Sequence, residues 1–548
     1  MPPSTYWLWG GLIVGICLFT CFYNIGKMGI SQVDEMTYAV YGRESADQWL
    51  WWLTGGNGAQ FRALIDEHDG AFIGGGFKKP LHHVVLVAVG LVSDDVALGV
   101  RIWQAGCRLF VALVLLWWGA KIWGRAISLW AAAFWSINVG SAAVWRLGLA
   151  HGQAGLAVFL AACFYLAAHK VGGERRWLWF SCGLSLMAAV LTHMNTIPFA
   201  GAFILFELIR CAQLGWKTVR CSSGFIALGI LAMYGLSEVW HGLHYLCLPM
   251  AEINALALRW PLTSTIGQWI AMSKPMGGMG GWPETPFSHR FYMYIFVPIL
   301  AEGLPMAILT LLGIFAFRSR KYWDLQFLFP LALLLVSLWF YVFYLEKNNL
   351  EFRNLAAAFP FFSILAAVGA VHVSDRLRHR MMGWGLIGLA VAMSLWQLQN
   401  VLRLQSGQEE VVARLQADGI RRLYLRMWRP SDKISAMAYY GLEIEKLYEV
   451  PNSIPQGEAV AVYRQWLNEE QDQALQALGE RCAYWTSRVE VPARYIEYIS
   501  MRSLPASWLP PAGKDIRQRI LQLYERRELV VVYGPLTIDA EFRRVFTP

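Results

Sequence analysis

The sequence predicts an all-α polytopic membrane domain followed by a small α/β domain. Hydrophobic residues make up 56% of the 548 residues and charged residues only 16%, whereas an ordinary soluble domain carries about 25% charged residues. Apolar runs of the roughly 20 residues that a helix needs to cross a bilayer recur up to residue 399 and then stop. We therefore divide the chain into a membrane domain, 1–399, and a C-terminal domain, 400–548.

The apolar runs predict about 11 transmembrane helices, together with interfacial helices on the outer face. The predicted spans cover residues 7–23, 102–120, 126–144, 152–168, 177–193, 196–210, 222–240, 291–317, 325–345, 354–372 and 382–399. Residues 81–92 are apolar but too short to span, so we expect an interfacial or re-entrant helix there.

The basic residues between the spans predict the orientation of the chain. Every second loop is basic, as in the loops that carry Lys121, Lys170, Lys217, Arg318 and Arg376. Because basic loops stay on the cytoplasmic side, the pattern predicts a cytoplasmic N-terminus in a plasma (bacterial inner) membrane. The segments 24–101, 145–151, 241–290 and 346–353, and the tail from 400, are then exocytoplasmic. This topology explains the net charge of +9 better than nucleic-acid binding does.

An acidic pair, Asp34 and Glu35, stands a few residues beyond the end of the first span, in the segment SQVDEMTY. An acidic pair beside the membrane, just before an amphipathic helix, is unusual and makes both residues candidates for a functional site. The alternative is a helix start, because Ser31 and Asp34 have the spacing of a capping box. The two interpretations are compatible, since a cap would also fix the position of the acid.

Two lysines, Lys78 and Lys79, end the same outer segment in GGGFKKPLHH. Lysines on the outer side run against the positive-inside bias and need another explanation. A lipid phosphate would supply one, because Lys acts as a compact positive charge toward phosphate. Binding to ordinary anionic headgroups of membrane lipids is the alternative.

These motifs resemble the GT-C membrane glycosyltransferases, the group that contains the protein O-mannosyltransferases and the lipid A aminoarabinose transferase. The family has an Asp-Glu pair with an aromatic residue three positions on, then a Lys-Pro motif, then an Arg that opens the second span, and late in the chain an Arg followed by apolar residues and Pro. The matching residues here are Asp34, Glu35, Tyr38, Lys79, Pro80, Arg101, Arg353 and Pro360. The resemblance covers most of the membrane region and none of the tail.

The sequence also departs from the family pattern. Many relatives carry a second acid in the outer loop after the third span, where this chain has Arg146, His151 and Gln153. His151 is a candidate for part of that role, or a structural residue near a helix start. One Pro follows Lys79, where many relatives have two. These departures leave the subfamily and any metal ligands undefined.

The resemblance implies transfer of a sugar from a polyprenyl-phosphate carrier to a glycan, lipid or protein acceptor, with Asp34 as general base. Glu35 would orient the neighbours of Asp34 or a divalent cation. Positive charge at Lys78, Lys79 and Arg353 would stabilise the leaving phosphate, although Arg353 is also placed to act as an interfacial anchor. The loop 241–290, with His289 and Arg290, is a candidate substrate-binding lid or a plain connector.

The tail alternates short apolar strands with helical stretches, which predicts a small α/β domain. IRRLYLRM, EAVAVYRQ and ELVVVYG are the predicted strands, and SAMAYYGL and QDQALQALGERC the predicted helices. Two other functions fit a polytopic chain. A polysaccharide polymerase or ligase would depend on arginines in a late outer loop, and a transporter or flippase would carry charges at mid-depth.

Overall fold

The computed structural model describes residues 2–28, 33–55, 79–246, 304–343, 352–376, 380–404, 407–425, 439–464, 467–480, 483–488, 528–533 and 536–546, with the isolated residues 514 and 518. The chain forms two compact units. The first contains Met1–Tyr23 and Tyr41–Val401, and the second contains Asn24–Val40 and Leu402–Pro548. The second unit thus includes a short segment that the sequence-based division assigned to the membrane domain.

The first unit is helical throughout its described residues. Its helices are α1 (Pro3–Phe22), α2 (Val33–Leu53, counted with the second unit up to Val40), α3 (Pro80–Val92), α4 (Val96–Trp117), α5 (Gly119–Ile122), α6 (Arg125–Ile137), α7 (Val139–Val144), α8 (His151–Lys170), α9 (Arg176–Thr192), α10 (Ile197–Leu214), α11 (Trp216–Leu246), α12 (Leu304–Ala316), α13 (Leu325–Phe343), α14 (Phe359–Arg376) and α15 (Arg380–Leu402). Short 3₁₀ turns at Met194–Thr196 and Phe352–Ala358 precede α10 and α14.

Seven segments of the described chain are long and apolar enough to cross a membrane. They are Pro3–Met28, Val96–Ile122, His151–Lys170, Met194–Leu214, Trp216–Trp240, Leu355–Ser374 and Gly383–Leu402. Each coincides with one predicted span. Three more predicted spans appear as the shorter apolar helices α9, α12 and α13. The chain is therefore a multi-pass membrane protein, and the count of eleven spans stays a prediction.

The predicted span 126–144 is not one helix, because the chain breaks at Asn138. Asn138 has an extended backbone (ψ 118°), and its side chain caps α7 by accepting a hydrogen bond from the backbone N–H of Ser141 at 2.6 Å. The buried guanidinium of Arg108 donates to the last carbonyls of α6, those of Trp135 at 3.1 Å and Ser136 at 2.9 Å. Both new helix ends therefore have hydrogen-bond partners, which makes the break tolerable in an apolar environment. Apolar periodicity alone does not show such a break.

Close helix crossings hold the first unit together. The helix α9 packs against α8 and α11, and α12 packs against α14. At the α9–α11 crossing a Cβ on Gly183 would lie only 1.9 Å from the carbonyl oxygen of Ile226, so only glycine fits there. Small residues that let helix backbones approach are typical of membrane helix pairs, where packing rather than hydrophobic burial drives association.

Arg146 forms hydrogen bonds to the C-terminal ends of two helices, α1 and α15. It is buried in the segment between α7 and α8, and it donates hydrogen bonds to the carbonyl of Tyr23, at the end of α1, and to that of Val401 near the end of α15, the latter at 3.1 Å. A cation at the C-terminal end of a helix satisfies free carbonyls and complements the helix dipole. The arginine therefore fixes where α1 and α15 end relative to the start of α8.

The second unit contains a mixed five-stranded sheet in the order β2-β1-β4-β6-β5. Its strands are β1 (Arg422–Leu425), β2 (Glu443–Lys446), β4 (Glu458–Tyr463), β5 (Ala483–Arg488) and β6 (Glu528–Tyr533), with a separate pair β3 (Ser453–Ile454) and β7 (Leu536–Thr537). β1 is parallel to β2 and β4, and β6 is antiparallel to β4 and β5. The helices are α16 (Gln408–Ala417), α17 (Glu469–Gly479) and α18 (Ala540–Phe546).

Alternate residues of the central strands pack on opposite faces of this sheet. Val460 and Val532 join the core that α17 and α18 cover, while Ala461 and Val531 join the core that α16 covers. Burial on both faces explains why EAVAVY and ELVVVY read as nearly continuous apolar runs. The three predicted strands and the helix at 471–482 are found close to their predicted positions. The predicted helix SAMAYYGL lies mostly outside the described residues.

Candidate functional site

Lys79 stands directly before the first residue of α3. Pro80 occupies the first helical position, where its missing N–H costs nothing and its fixed φ suits the helix. The Lys79 carbonyl accepts the hydrogen bond of His83 N–H at 2.9 Å, so the lysine belongs to the first turn. Its half-buried side chain therefore adds a full positive charge at the positive end of the helix dipole. This is an arrangement suited to anions.

Hydrogen bonds fix the start of α3 against neighbouring helices. Gln153 on α8 donates to the Leu81 carbonyl at 3.2 Å, and its side-chain oxygen lies 3.4 Å from Nδ1 of His82, which donates to it. On the next residue, Nδ1 of His83 accepts from Trp240 of α11 at 3.3 Å, and Nε2 then donates to Ser45 of α2 at 2.8 Å. The position of Lys79 is thus set by α2, α8 and α11.

His151 and His193 meet next to a small cavity. His151 opens α8, and His193 lies in the connection between α9 and α10. Their ring centroids are 4.4 Å apart, inclined by 41°. The cavity is lined by both rings, by Asn195 and Thr196, and by small side chains that include Ala356 and Ala357.

The turn that carries His193 defines its tautomer. Nδ1 accepts a hydrogen bond from the backbone N–H of Asn195 at 3.2 Å, and the Thr196 hydroxyl donates to the His193 carbonyl at 2.8 Å. An imidazole nitrogen that accepts a hydrogen bond carries no proton, so the neutral ring bears its proton on Nε2. His193 is therefore assigned as a hydrogen-bond donor through Nε2.

Burial and neighbouring basic groups both lower the pKa of His193. Burial lowers the pKa of His193 well below its ordinary value of 6.5, and the charges of Lys79, His151, Arg353 and His82 lower it further. Arg353 is buried in the 3₁₀ turn Phe352–Ala358, the segment that also contributes the cavity alanines. Lys79, His82, His151, His193 and Arg353 are referred to below as the basic cluster. Burial lowers the pKa of His82 and of His193, so these two rings are neutral at neutral pH, and Lys79 and Arg353 supply the positive potential of the cluster. Such a potential favours an anionic ligand.

The structure thus brings three predicted site residues together, namely Lys79, His151 and Arg353. Arg101, predicted to open the second span, is instead buried in the second turn of α4, and its charge acts on Arg146. Glu35 is buried in the first turn of α2, with Tyr38 one turn further on. The side chain of Asp34 and the residues Lys78, His289 and Arg290 lie outside the described part of the chain.

Sequence reasoning missed two members of the basic cluster, His82 and His193. His193 was counted as the last residue of a span, although HMNT is a polar tetrapeptide between two apolar runs. That interruption was the available signal. His82 is the first of two histidines at the start of an otherwise apolar helix. Neither signal indicates by itself which other residues lie nearby.

The described residues include no group of three His, Cys, Asp or Glu side chains that could hold a metal ion. The predicted divalent cation therefore has no ligand set within the basic cluster, where the surrounding positive charge would oppose it. Glu35 is the residue whose predicted role includes a divalent cation, and the side chain of its neighbour Asp34 is outside the described part of the chain.

Comparison with solved structures identifies the fold. The chain matches the lipid A aminoarabinose transferase ArnT from Cupriavidus metallidurans in its apo state over 100% of both chains, with a TM-score of 0.53 and 14% identity. The same enzyme bound to undecaprenyl phosphate matches 96% of this chain and 98% of its own, with a TM-score of 0.51 and 14% identity. The apo oligosaccharyltransferase of Archaeoglobus fulgidus matches 94% of this chain and 72% of its own, with a TM-score of 0.50 and 10% identity.

No protein-family model and no curated protein sequence matches the chain. The structural matches nevertheless confirm the GT-C fold that the sequence motifs predicted. At these identities they show the fold alone. A function for this chain has to be argued from its own residues.

Proposed function

We propose that this protein is a membrane glycosyltransferase that transfers a sugar from a polyprenyl-phosphate carrier. The basic cluster carries the proposal, because Lys79 and Arg353 both act electrostatically on His193, which lines a small cavity within a GT-C fold. The similar ArnT structure was solved with undecaprenyl phosphate. A lipid phosphate is an anion that such a cluster would bind.

The chemistry is displacement at the anomeric carbon of the sugar. The oxygen of an acceptor hydroxyl forms a bond to that carbon, the bond from the carbon to the phosphate oxygen breaks, and the polyprenyl phosphate leaves with the electron pair. The leaving group is already a good anion, so it needs positive charge rather than a proton donor. Lys79 and Arg353 supply that charge.

The acceptor hydroxyl must lose its proton during the attack, and Asp34 is the proposed base. This role rests on the match of Asp34, Glu35 and Tyr38 to the family motif and on the position of Glu35 and Tyr38 in the first two turns of α2. We further propose that the acceptor is a glycan, lipid or protein of the cell envelope. The N-terminus would be cytoplasmic, and the tail and the basic cluster would lie on the outer face of the plasma membrane, as the basic loops predict.

Binding of a polyprenyl phosphate to the purified protein tests this function. Lys79→Ala should weaken binding about tenfold, the value expected for one hydrogen bond to a charged group, and should leave the fold intact because the side chain is half-buried. Lys217→Ala, at an exposed lysine in the first turn of α11, is the matched control and should bind normally. Normal binding by Lys79→Ala would exclude Lys79 from the phosphate site, and absence of sugar transfer from a lipid-linked donor by the unmodified protein would refute the proposal.

A further inference from the structure

The structure assigns His193 as a further phosphate-binding residue, which uses its Nε2–H to donate a hydrogen bond to the phosphate of the lipid donor. This inference rests on the proposed function, because it names a new ligand-binding group at the same site. Neither the family motif nor the sequence pattern indicates a ligand-binding role for this histidine. The residues that surround it in the structure indicate that role.

The hydrogen-bond donor that His193 offers to a ligand is its Nε2–H group. Because Nδ1 already accepts from Asn195 N–H, the neutral ring can offer only Nε2–H to a ligand. A donor at a cavity wall is satisfied by an oxygen acceptor, and phosphate oxygens are strong acceptors. The half-buried ring lines the cavity directly.

Basic residues surround the imidazole ring of His193. Lys79 from the start of α3 and Arg353 from the 3₁₀ turn before α14 both act electrostatically on His193, as do the histidines His82 and His151. These elements approach from different parts of the chain, so the positive field converges on the ring. An anion drawn to Lys79 and Arg353 is therefore also drawn toward the cavity that the imidazole lines.

Contacts on several sides hold the His193 side chain in place. His193 is held by the turn Met194–Thr196, by the hydroxyl of Thr196 on its carbonyl, and by contact with the ring of His151. A donor whose rotamer is fixed in advance loses little entropy when the ligand binds. The ring is thus pre-organised to receive an anion.

Two substitutions separate the donor role from a purely structural role. In His193→Asn the amide oxygen can take the place of Nδ1 and keep the contact with Asn195 N–H, but no donor reaches the position of Nε2. In His193→Gln the longer side chain places an amide N–H near the position of Nε2. A donor role therefore predicts loss with Asn and retention with Gln, and a structural role predicts the reverse.

The experiment measures binding of undecaprenyl phosphate and of undecaprenol, which lacks the phosphate, to the full-length protein in nanodiscs. His193→Asn should bind the phosphate about tenfold more weakly, His193→Gln should stay within about threefold of the unmodified protein, and undecaprenol binding should not change. The control is His169→Gln, at the other end of α8 and roughly 27 Å along the helix from His151. It should bind both lipids normally.

Equal binding by His193→Asn and the unmodified protein would overturn the inference, as would equal loss in the Asn and Gln variants. Both results are distinguishable from failure of the proposed function. If Lys79→Ala weakens binding and His193→Asn does not, the phosphate site stands and the histidine is excluded from it. If Lys79→Ala binds normally, the phosphate site as proposed is wrong, because Lys79 is then excluded from it.

Discussion

The rings of His151 and His193 lie 4.4 Å apart, although one opens α8 and the other follows α9. The contact exists because α8 and α9 pack against each other as antiparallel neighbours joined by a short connection, which returns the end of α9 to the start of α8. It places a residue that sequence comparison could single out, His151, beside one that it could not. The contact between the two rings also bears on how the stability of the protein should change as the pH falls.

Acidification should destabilise the protein through His193. Its pKa in the folded protein is well below 6.5 because burial and the charges of Lys79, His151, Arg353 and His82 disfavour a charged ring. The unfolded chain therefore binds a proton first as the pH falls, and this contribution to stability is complete above pH 6.5 and is lost progressively below it. Thermal unfolding measured at pH 7.5 and 5.5 should show a smaller loss of Tm for His193→Gln than for the unmodified protein.

The result depends on the comparison of the two proteins, because other groups also titrate in this range. An identical drop of Tm in His193→Gln and in the unmodified protein would show that His193 does not have a lowered pKa.

Most of the helical fold could be predicted from the sequence, since long apolar runs leave few alternatives in a bilayer. The break at Asn138 could not, because it depends on Arg108, which supplies hydrogen bonds to the exposed end of α6 from another helix. The strand β5, with the sequence AYWTSR, was missed for a similar reason. Its second half, Thr-Ser-Arg, is polar and forms a strand by pairing with β6, which lies some forty residues further along the chain.

Some residues of the candidate site could be predicted from the sequence, and others could not. Lys79 could be selected from the sequence because a lysine on the outer side of a membrane protein needs an explanation, and Arg353 could be selected because it matches the late Arg motif of the family that the sequence resembles. His193 could not be placed with them, because its neighbours come from α3, α8 and the turn before α14. Convergence of distant segments on one point is a property of tertiary packing, which local pattern does not contain.

Arg146 should contribute strongly to stability without taking part in ligand binding. Arg146→Met keeps much of the buried volume but removes the hydrogen bonds to the carbonyls of Tyr23 and Val401. Two buried carbonyls that lose charged donors should cost about 3 kcal/mol. We expect a lower unfolding temperature in detergent, with polyprenyl phosphate affinity unchanged in the folded fraction.

The matched control is Arg403→Met, at an exposed arginine just beyond the end of α15. It makes the same change in charge, so a general effect of charge would lower both unfolding temperatures equally. That outcome would show that the ends of α1 and α15 do not depend on Arg146.

Asp34→Asn should abolish sugar transfer and leave donor binding intact. The amide keeps the shape of the carboxylate and can still cap a helix, so a purely structural Asp34 would change stability by at most about 1 kcal/mol. An amide cannot accept the acceptor's proton at neutral pH, and loss of a general base should lower turnover by about two orders of magnitude or more. The measurement is transfer from a radiolabelled lipid-linked sugar in membranes, with Tm and polyprenyl phosphate binding recorded for the same variant.

Asp94→Asn, at an exposed aspartate before α4, makes the same chemical change and should transfer sugar normally. Near-normal turnover in Asp34→Asn would exclude Asp34 as the general base and leave the proton of the acceptor hydroxyl to another group.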